Sequence, residues 1–384
     1  MFWRQKTYFR KSDKLSFRIN FLKSISLPSP SSLRFFWNFG SLLGVCLIIQ
    51  LITGLVLSIR YFPDIESSFS GLVLISRNTD YGVFIRIFHG NGARFFFIFL
   101  YAHIARGIYF GSFSLSKVWI RGCSILLLSI ITAFLGYVLP IGQISLWGRA
   151  VITGLLSAIP VFGERLVHWV WRGSSVNGET LNRFFRVHYI LPFIIRFITI
   201  LHLHFLHSTG SSNPLGFERR LEKIRFNNYF IWKDIVGFMV FFVFFFYMVF
   251  YQRYVLLDAQ NFIKANRMVT PVHIQPEWYF LFAYAILRSI PRKSGGVLAL
   301  ALSVLIYYSL VLSSLINLKI KGARFNPLGQ ILFIWFIVIF FILTFLGACP
   351  AEGIYLKLGI LYTKNYFVWF FMYLFSLKFW GEEF

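Results

Sequence analysis

Four histidines fall into two pairs with the same spacing. His89 and His103 stand fourteen residues apart in Arg86-Ile-Phe-His-Gly-Asn-Gly-Ala-Arg94 and the apolar run that follows it, and His188 and His202 repeat the interval in the run that begins at Arg183. Fourteen residues are close to four helical turns, so each pair lies on nearly one helix face, about 21 Å apart along the axis. Two such helices can hold two metal centres, one above the other, with one imidazole from each helix per centre. Haem iron ligated by two histidines meets that geometry, because a haem takes axial nitrogens on opposite faces.

Glycines share the interval. Gly40 and Gly54 lie in one apolar stretch and Gly122 and Gly136 in another. A missing Cβ lets a flat macrocycle edge approach the backbone. Two helices with ligands and two with matching notches make a four-helix cage; ordinary close packing of membrane helices is the competing explanation for the glycines. Arg86, Arg106 and Arg183 stand three or five residues from a histidine, placed to pair with haem propionates or to reach lipid phosphates.

The elements that must position these residues are membrane helices. The 384 residues are 57% hydrophobic, 21% aromatic and only 14% charged, with a mean hydropathy of +0.68, outside the soluble range. Apolar runs predict eight spans near 38–59, 84–110, 119–140, 183–208, 231–252, 295–315, 328–348 and 355–378, the last interrupted by Lys357 and Lys364. The predicted fold is an all-α integral membrane protein whose first four spans form the cage. Long connections at 141–182 and 253–294, with amphipathic pieces and turn signals, are where a pocket would be built; the other loops read as short. If every span crosses, the second and fourth helices run the same way. His89 is then level with His188, and His103 with His202, giving a route for electrons across the membrane.

The net charge of +24 would suggest nucleic acid in a soluble protein. Here it belongs to loops that face anionic lipid headgroups and to cofactor carboxylates, and no soluble basic domain exists to bind nucleic acid. Residues 1–30 read as a basic surface-lying segment with Phe17, Phe21 and Leu22 on its apolar side. Residues 31–215 would form the cage with one long loop, and 216–384 a C-terminal helical region. Cys46, Cys123 and Cys349 are scattered and no C-x-x-C-H exists, which rules out covalent c-type haem attachment. The 49 phenylalanines match T-rich codon usage and point to an organellar genome. A transporter with histidine proton relays would explain the histidines but not the glycines, and a structural scaffold would explain neither.

Several blocks carry a family resemblance: Trp37-Asn-Phe-Gly-Ser-Leu-Leu-Gly44, Gly136-Tyr-Val-Leu-Pro140, Trp147-Gly148, Leu156-Ser-Ala-Ile-Pro160, Thr270-Pro271 and, most specific, Pro276-Glu-Trp-Tyr279 followed by Phe280-Leu-Phe-Ala-Tyr-Ala-Ile-Leu-Arg-Ser-Ile-Pro291. From Trp37 onward the chain resembles mitochondrial cytochrome b, the di-haem subunit of the quinol–cytochrome c reductases (complex III). The resemblance implies a low-potential haem on His89 and His188 toward the outer face and a high-potential haem on His103 and His202 toward the inner face. It implies ubiquinol oxidation at an outer pocket, with Glu277 taking a proton and Tyr284, Tyr137 and Gly148 lining the cavity. It also implies quinone reduction at an inner pocket using His207, Ser211 and Asp234. Partners implied are a Rieske-type iron–sulfur subunit, a membrane-anchored c-type cytochrome, the other complex III subunits and a second copy of the chain, all in the mitochondrial inner membrane. A plastid relative would divide the chain in two and carry an extra cysteine-attached haem.

Taken without the resemblance, Glu277 is a good first-turn carboxylate after Pro276. His204, His168 and His273 are assigned no iron. The chain departs from the family pattern at Ala105 (usually Gly), Ile141 (Trp), Arg149 (a small residue), His168 (Glu), Arg172 (Gly) and Ser208 (Glu), of which Arg149 alters the outer pocket most.

Overall fold

Every long apolar run becomes a helix in the computed structural model, which describes residues 27–172, 177–216, 222–315, 318 and 321–383. The helices are α1 (Phe39–Ser58), α2 (Ser68–Asn78), α3 (Gly82–Tyr109), α4 (Ser116–Val138), α5 (Gln143–Gly154), α6 (Gly163–Trp171), α7 (Gly178–Thr209), α8 (Tyr229–Phe250), α9 (Leu281–Arg288), α10 (Lys293–Leu305), α11 (Pro327–Ala348) and α12 (Gly353–Glu383). The basic segment through residue 26 and the turn at 174–176 lie outside the described residues.

Among the described residues, seven helical segments are long and apolar enough to cross a membrane: Phe35–Ser58, Gly82–Tyr109, Ser116–Val138, Gly178–Thr209, Tyr229–Phe250, Lys293–Ser314 and Pro327–Ala348. The eighth expected span forms as α12, 31 residues long, but by composition it falls short of the other seven. Its Lys357 and Lys364 lie among aromatic residues, and Tyr366, Trp369 and Tyr373 are buried. Large exposed apolar side chains such as Ile190, Phe197, Phe244, Phe341 and Phe375 cover the outside. Water would not tolerate that surface, but lipid does.

The chain chemistry accounts for the helix ends near the bundle. Asn177 opens α7 with a capping box, its side chain accepting from the Thr180 amide at 3.1 Å. Asn326 caps α11 ahead of Pro327, which suits the first helical position. The C-terminus of α11 is closed by Arg288, whose Nη2 donates to the carbonyls of Leu346, Gly347 and Cys349.

Two features differ from the sequence expectation. The connection after α1 is not a plain short loop but holds α2, whose seryl- and glycyl-rich composition (Ser-Phe-Ser-Gly-Leu-Val-Leu-Ile-Ser) masks a buried face of Leu72 and Ile75. A short antiparallel ribbon also pairs Pro28–Pro30 with Lys223–Arg225, tying the start of the described chain to the connection before α8.

The two long connections interlock, as a shared pocket requires. Gly142 bridges to Lys264; the Gln143 amide donates to Ile263 O at 2.9 Å, the Gln143 side chain accepts from the Asn266 amide at 2.7 Å, and Lys293 donates to Ser157 Oγ at 2.8 Å. At their junction Ile141 is buried with φ of 51°, a left-handed conformation rare for a β-branched residue, and its carbonyl accepts from Ala265. Strain of this kind persists only where surrounding contacts hold it.

Candidate haem and quinol sites

Each histidine of the two pairs meets its counterpart across the bundle. The rings of His89 and His188 have centroids 6.3 Å apart, and those of His103 and His202 6.4 Å. A first-row metal sits about 2 Å from an imidazole nitrogen, and that nitrogen about 1 Å from its ring centroid, so two opposed imidazoles sharing one metal have centroids about 6 Å apart. Both pairs fit one iron each.

The glycines face the same rings. A Cβ at Gly40 would lie 3.3 Å from His103 Cε1, at Gly54 3.1 Å from His89 Cε1 and at Gly122 3.4 Å from His202 Cε1; at Gly136 it would collide with the His188 ring. α1 thus notches both histidines of α3, and α4 both histidines of α7. The notches receive the imidazoles themselves, a tighter role than the macrocycle edge expected from spacing.

At the end of the bundle nearest the long connections, the proton positions on both rings are fixed. Thr53 Oγ1 gives its hydrogen to Ile49 O (2.6 Å), so it can only accept from His89 Nδ1 at 2.9 Å. His188 Nδ1 stands 2.8 Å from the Thr132 carbonyl, which only accepts. Both rings therefore carry hydrogen on Nδ1 and turn an unprotonated Nε2 inward, the tautomer a metal ligand needs. A cavity of about 270 Å³ adjoins them, lined among others by Gln50, Gly54, Arg86, Arg94, Gly136 and Pro192.

The other end is less fixed. Arg106 Nη2 lies 3.0 Å from His103 Nδ1, and a guanidinium can only donate, which puts the ring hydrogen on Nε2. His202 Nδ1 faces the Val118 carbonyl without closing a hydrogen bond. Ligation of iron by His103 therefore needs Arg106 to turn to another acceptor, the task a propionate would serve.

The other arginines divide. Arg86 lines the large cavity with its guanidinium 4.8 Å from the Phe262 ring. Arg183 instead donates to the Trp169 carbonyl of α6 and stacks 5.1 Å from its ring, and it does not line the large cavity.

A second, smaller cavity of about 30 Å³ lies between α4, α5 and the segment at Ile274–Tyr284. All four residues expected at the outer pocket, Glu277, Tyr284, Tyr137 and Gly148, line it, and Tyr137 also borders the large cavity. Gly148 has open space where a Cβ would go. The Pro-Glu-Trp-Tyr segment is pinned to α3: the Tyr279 ring stacks on Phe97 at 4.1 Å and 3°, and Tyr101 Oη donates to Tyr279 O at 2.5 Å.

Sequence reasoning missed the partner of Glu277. Arg94 Nη2 donates to Glu277 Oε1 in a buried ion pair, with side chains 6% and 5% exposed. Arg94 borders the large cavity and Glu277 the small one, so the pair stands between them. Burial pushes the Glu277 carboxyl up to about 7, outweighing the pull of Arg94 in the other direction. An arginine inside a membrane-spanning helix was the available signal.

The inner-pocket residues are less assembled. Asp234 accepts from buried Asn38 at 2.7 Å, and Asn38 also donates to Ser41 at 2.9 Å. His207 is exposed and Ser211 half-buried, and no hydrogen bond or ion pair joins either to Asp234. Of the histidines assigned no iron, His204 is exposed against Phe205 and His273 bonds Ala348 O at 3.0 Å.

Comparison with known proteins finds matches over two stretches of the chain. A family model described as "Cytochrome b/b6/petB" matches residues 24–210, and one described as "Cytochrome b(C-terminal)/b6/petD" matches 264–367. Among solved structures, a chain of a hyperthermophilic respiratory Complex III superposes with a TM-score of 0.89 at 32% sequence identity, covering 96% of this chain and 98% of that one.

Proposed function

Given that this chain belongs to the cytochrome b family, whose members bind haem b, we propose that it is the di-haem subunit of a complex III. In this reading it oxidises ubiquinol at an outer pocket and reduces quinone at an inner one, in the mitochondrial inner membrane, and so contributes to proton translocation. The observation that carries the reading is the pair of opposed imidazole sets at 6.3 and 6.4 Å, each ring seated on its own glycine. His89 with His188 and His103 with His202 would hold two non-covalent b haems, which when bound supply one-electron transfer across the membrane.

The chain's own residues handle the protons and the orientation. Thr53 and the Thr132 carbonyl hold two rings in the ligating tautomer. Glu277, poised near neutrality, is the base that takes a hydroxyl proton from quinol in the small cavity. Arg94 keeps that carboxylate aimed at the wall between the cavities. Tyr137, Tyr284 and Gly148 shape the cavity, and its mostly apolar lining excludes water. At the opposite end Asp234, with His207 and Ser211, would return protons to reduced quinone.

One electron of each quinol leaves through a Rieske-type iron–sulfur subunit and a membrane-anchored c-type cytochrome, while the second crosses the membrane toward the inner quinone pocket; the other complex III subunits and a second copy of this chain complete the assembly. The purified complex should reduce cytochrome c with added ubiquinol, and Glu277→Gln should slow it while leaving both haems in place. Haem that is reduced by quinol without any electron reaching cytochrome c would contradict the reading.

A further inference from the structure

Arg149 is the most deeply buried cation described: 0% exposed, with Nε, Nη1 and Nη2 all lacking a hydrogen-bond partner. A guanidinium without partners in a low-dielectric site is costly and is retained only where something compensates it. It remains charged, because burial lowers it only to about 9. The charged and titratable groups around it offer no compensation. The Tyr61 hydroxyl is committed to donating to Leu139 O at 2.6 Å, Arg267 has the same sign, and Tyr137 and Tyr284 share the cavity without a hydrogen bond to the guanidinium. Glu277, the carboxylate of that cavity, is already held by Arg94. The helix that carries Arg149, α5, brings it to the lining of the small cavity, which Gly148 and Glu277 also line.

From this placement, and resting on the quinol-oxidising reading, we propose that Arg149 is a substrate-binding residue that donates hydrogen bonds to a quinol ring oxygen and favours its deprotonated form. In that step one quinol O–H bond breaks, the proton passes to the Glu277 carboxylate, and the electron pair stays on the oxygen that Arg149 holds; no electron leaves the ring. At about 30 Å³ the cavity admits one oxygen-sized group beside the guanidinium, so the ring must widen it on entry. The apolar walls, Phe134, Val138, Val151, Ile152 and Phe280, strengthen a charge-assisted bond there. Arginine stands here where the resembling family has a small residue, which makes this a feature of this chain and not of the fold.

The test uses the purified complex and two probes of nearly equal shape: 2-hydroxy-1,4-naphthoquinone, which is anionic at neutral pH, and its neutral 2-methyl ether. The anion should bind about tenfold to a hundredfold more tightly than the ether. Arg149→Gln and Arg149→Ala should bring that ratio near one with both haem bands unchanged, and Arg149→Lys should retain part of it. For ubiquinol, Arg149→Ala should raise KM about tenfold or more with a smaller change in kcat. Should Arg149→Gln keep the wild-type preference, the proposal fails. It also fails if millimolar chloride or inorganic phosphate displaces the anionic probe, since the site then serves small anions. A complex that prefers the anion through Arg149 yet oxidises no quinol keeps the anion site and overturns the quinol reading instead.

Discussion

The two ends of the four-helix cage carry the same ligand geometry with opposite degrees of enforcement. At the His89/His188 end both rings are locked by Thr53 and the Thr132 carbonyl, a buried Arg94–Glu277 pair closes the wall, and two interlocked connections roof the site. At the His103/His202 end the rings sit as far apart, but Arg106 competes for Nδ1, His202 Nδ1 has no hydrogen bond, and Asp234 is held through Asn38, which also donates to Ser41, without a hydrogen bond to His207 or Ser211. The spacing of histidines on two helices sets where metals go. The loops decide how tightly the surrounding protons are controlled, and the interlocked pair of long connections lies at one end.

That contrast can be broken at its strongest point first. Glu277→Gln should cut quinol oxidation about a hundredfold, the low end for loss of a general base. In the unmodified complex the rate should rise with pH through about 7, because Glu277 is protonated and idle below that value and able to accept a proton above it. Glu277→Gln should flatten this limb in a kcat/KM profile. Arg94→Gln removes one partner of a buried pair, at a cost of about 3–5 kcal/mol. It also removes the one pull that lowers Glu277 through a direct bond, so the limb should move to higher pH. A limb that stays in place would mean the pair is not intact in the working complex.

Alanine scanning of the glycines sharpens the comparison within the cage. Gly136→Ala drives a methyl into the His188 ring and should cost about 1–3 kcal/mol, read as loss of the haem nearest the long loops. Gly122→Ala meets His202 at ordinary contact distance, 3.4 Å, and should leave haem content near normal, with Gly54→Ala and Gly40→Ala between the two. Equal damage at Gly122 and Gly136 would show that the notches do not seat the rings as described. The smallest effect belongs to the loose end. Asn38→Ala strips Asp234 of one donor, about 1 kcal/mol, and should slow quinone reduction at that face while leaving quinol oxidation unchanged.

The same contrast explains what could be read from sequence. Helical periodicity is local, so the four histidines and four glycines announced both their helices and their pairing, and Pro276-Glu-Trp-Tyr279 announced the small cavity. Arg94 and Glu277 are far apart in the chain, and no periodic signal links a helix face to a distant loop. Helix α2 was missed because three serines and a glycine dilute its apolar face to Leu72 and Ile75. Arg183 was expected to meet a haem propionate or a lipid phosphate but bonds Trp169, since α6 folds back over the start of α7. The inner pocket was the least legible, because its expected members His207, Ser211 and Asp234 come from short, polar helix ends with no contact that joins them.

The central claim is two irons on four histidines. It is tested most directly by quantifying haem per chain in the purified complex, with a reduced-minus-oxidised spectrum, for the unmodified chain and for His103→Leu. The account predicts two low-spin, non-covalent b haems in the first and one in the second, the survivor carrying the spectrum of the His89/His188 site. A single haem in the unmodified chain, or two remaining in His103→Leu, would contradict it.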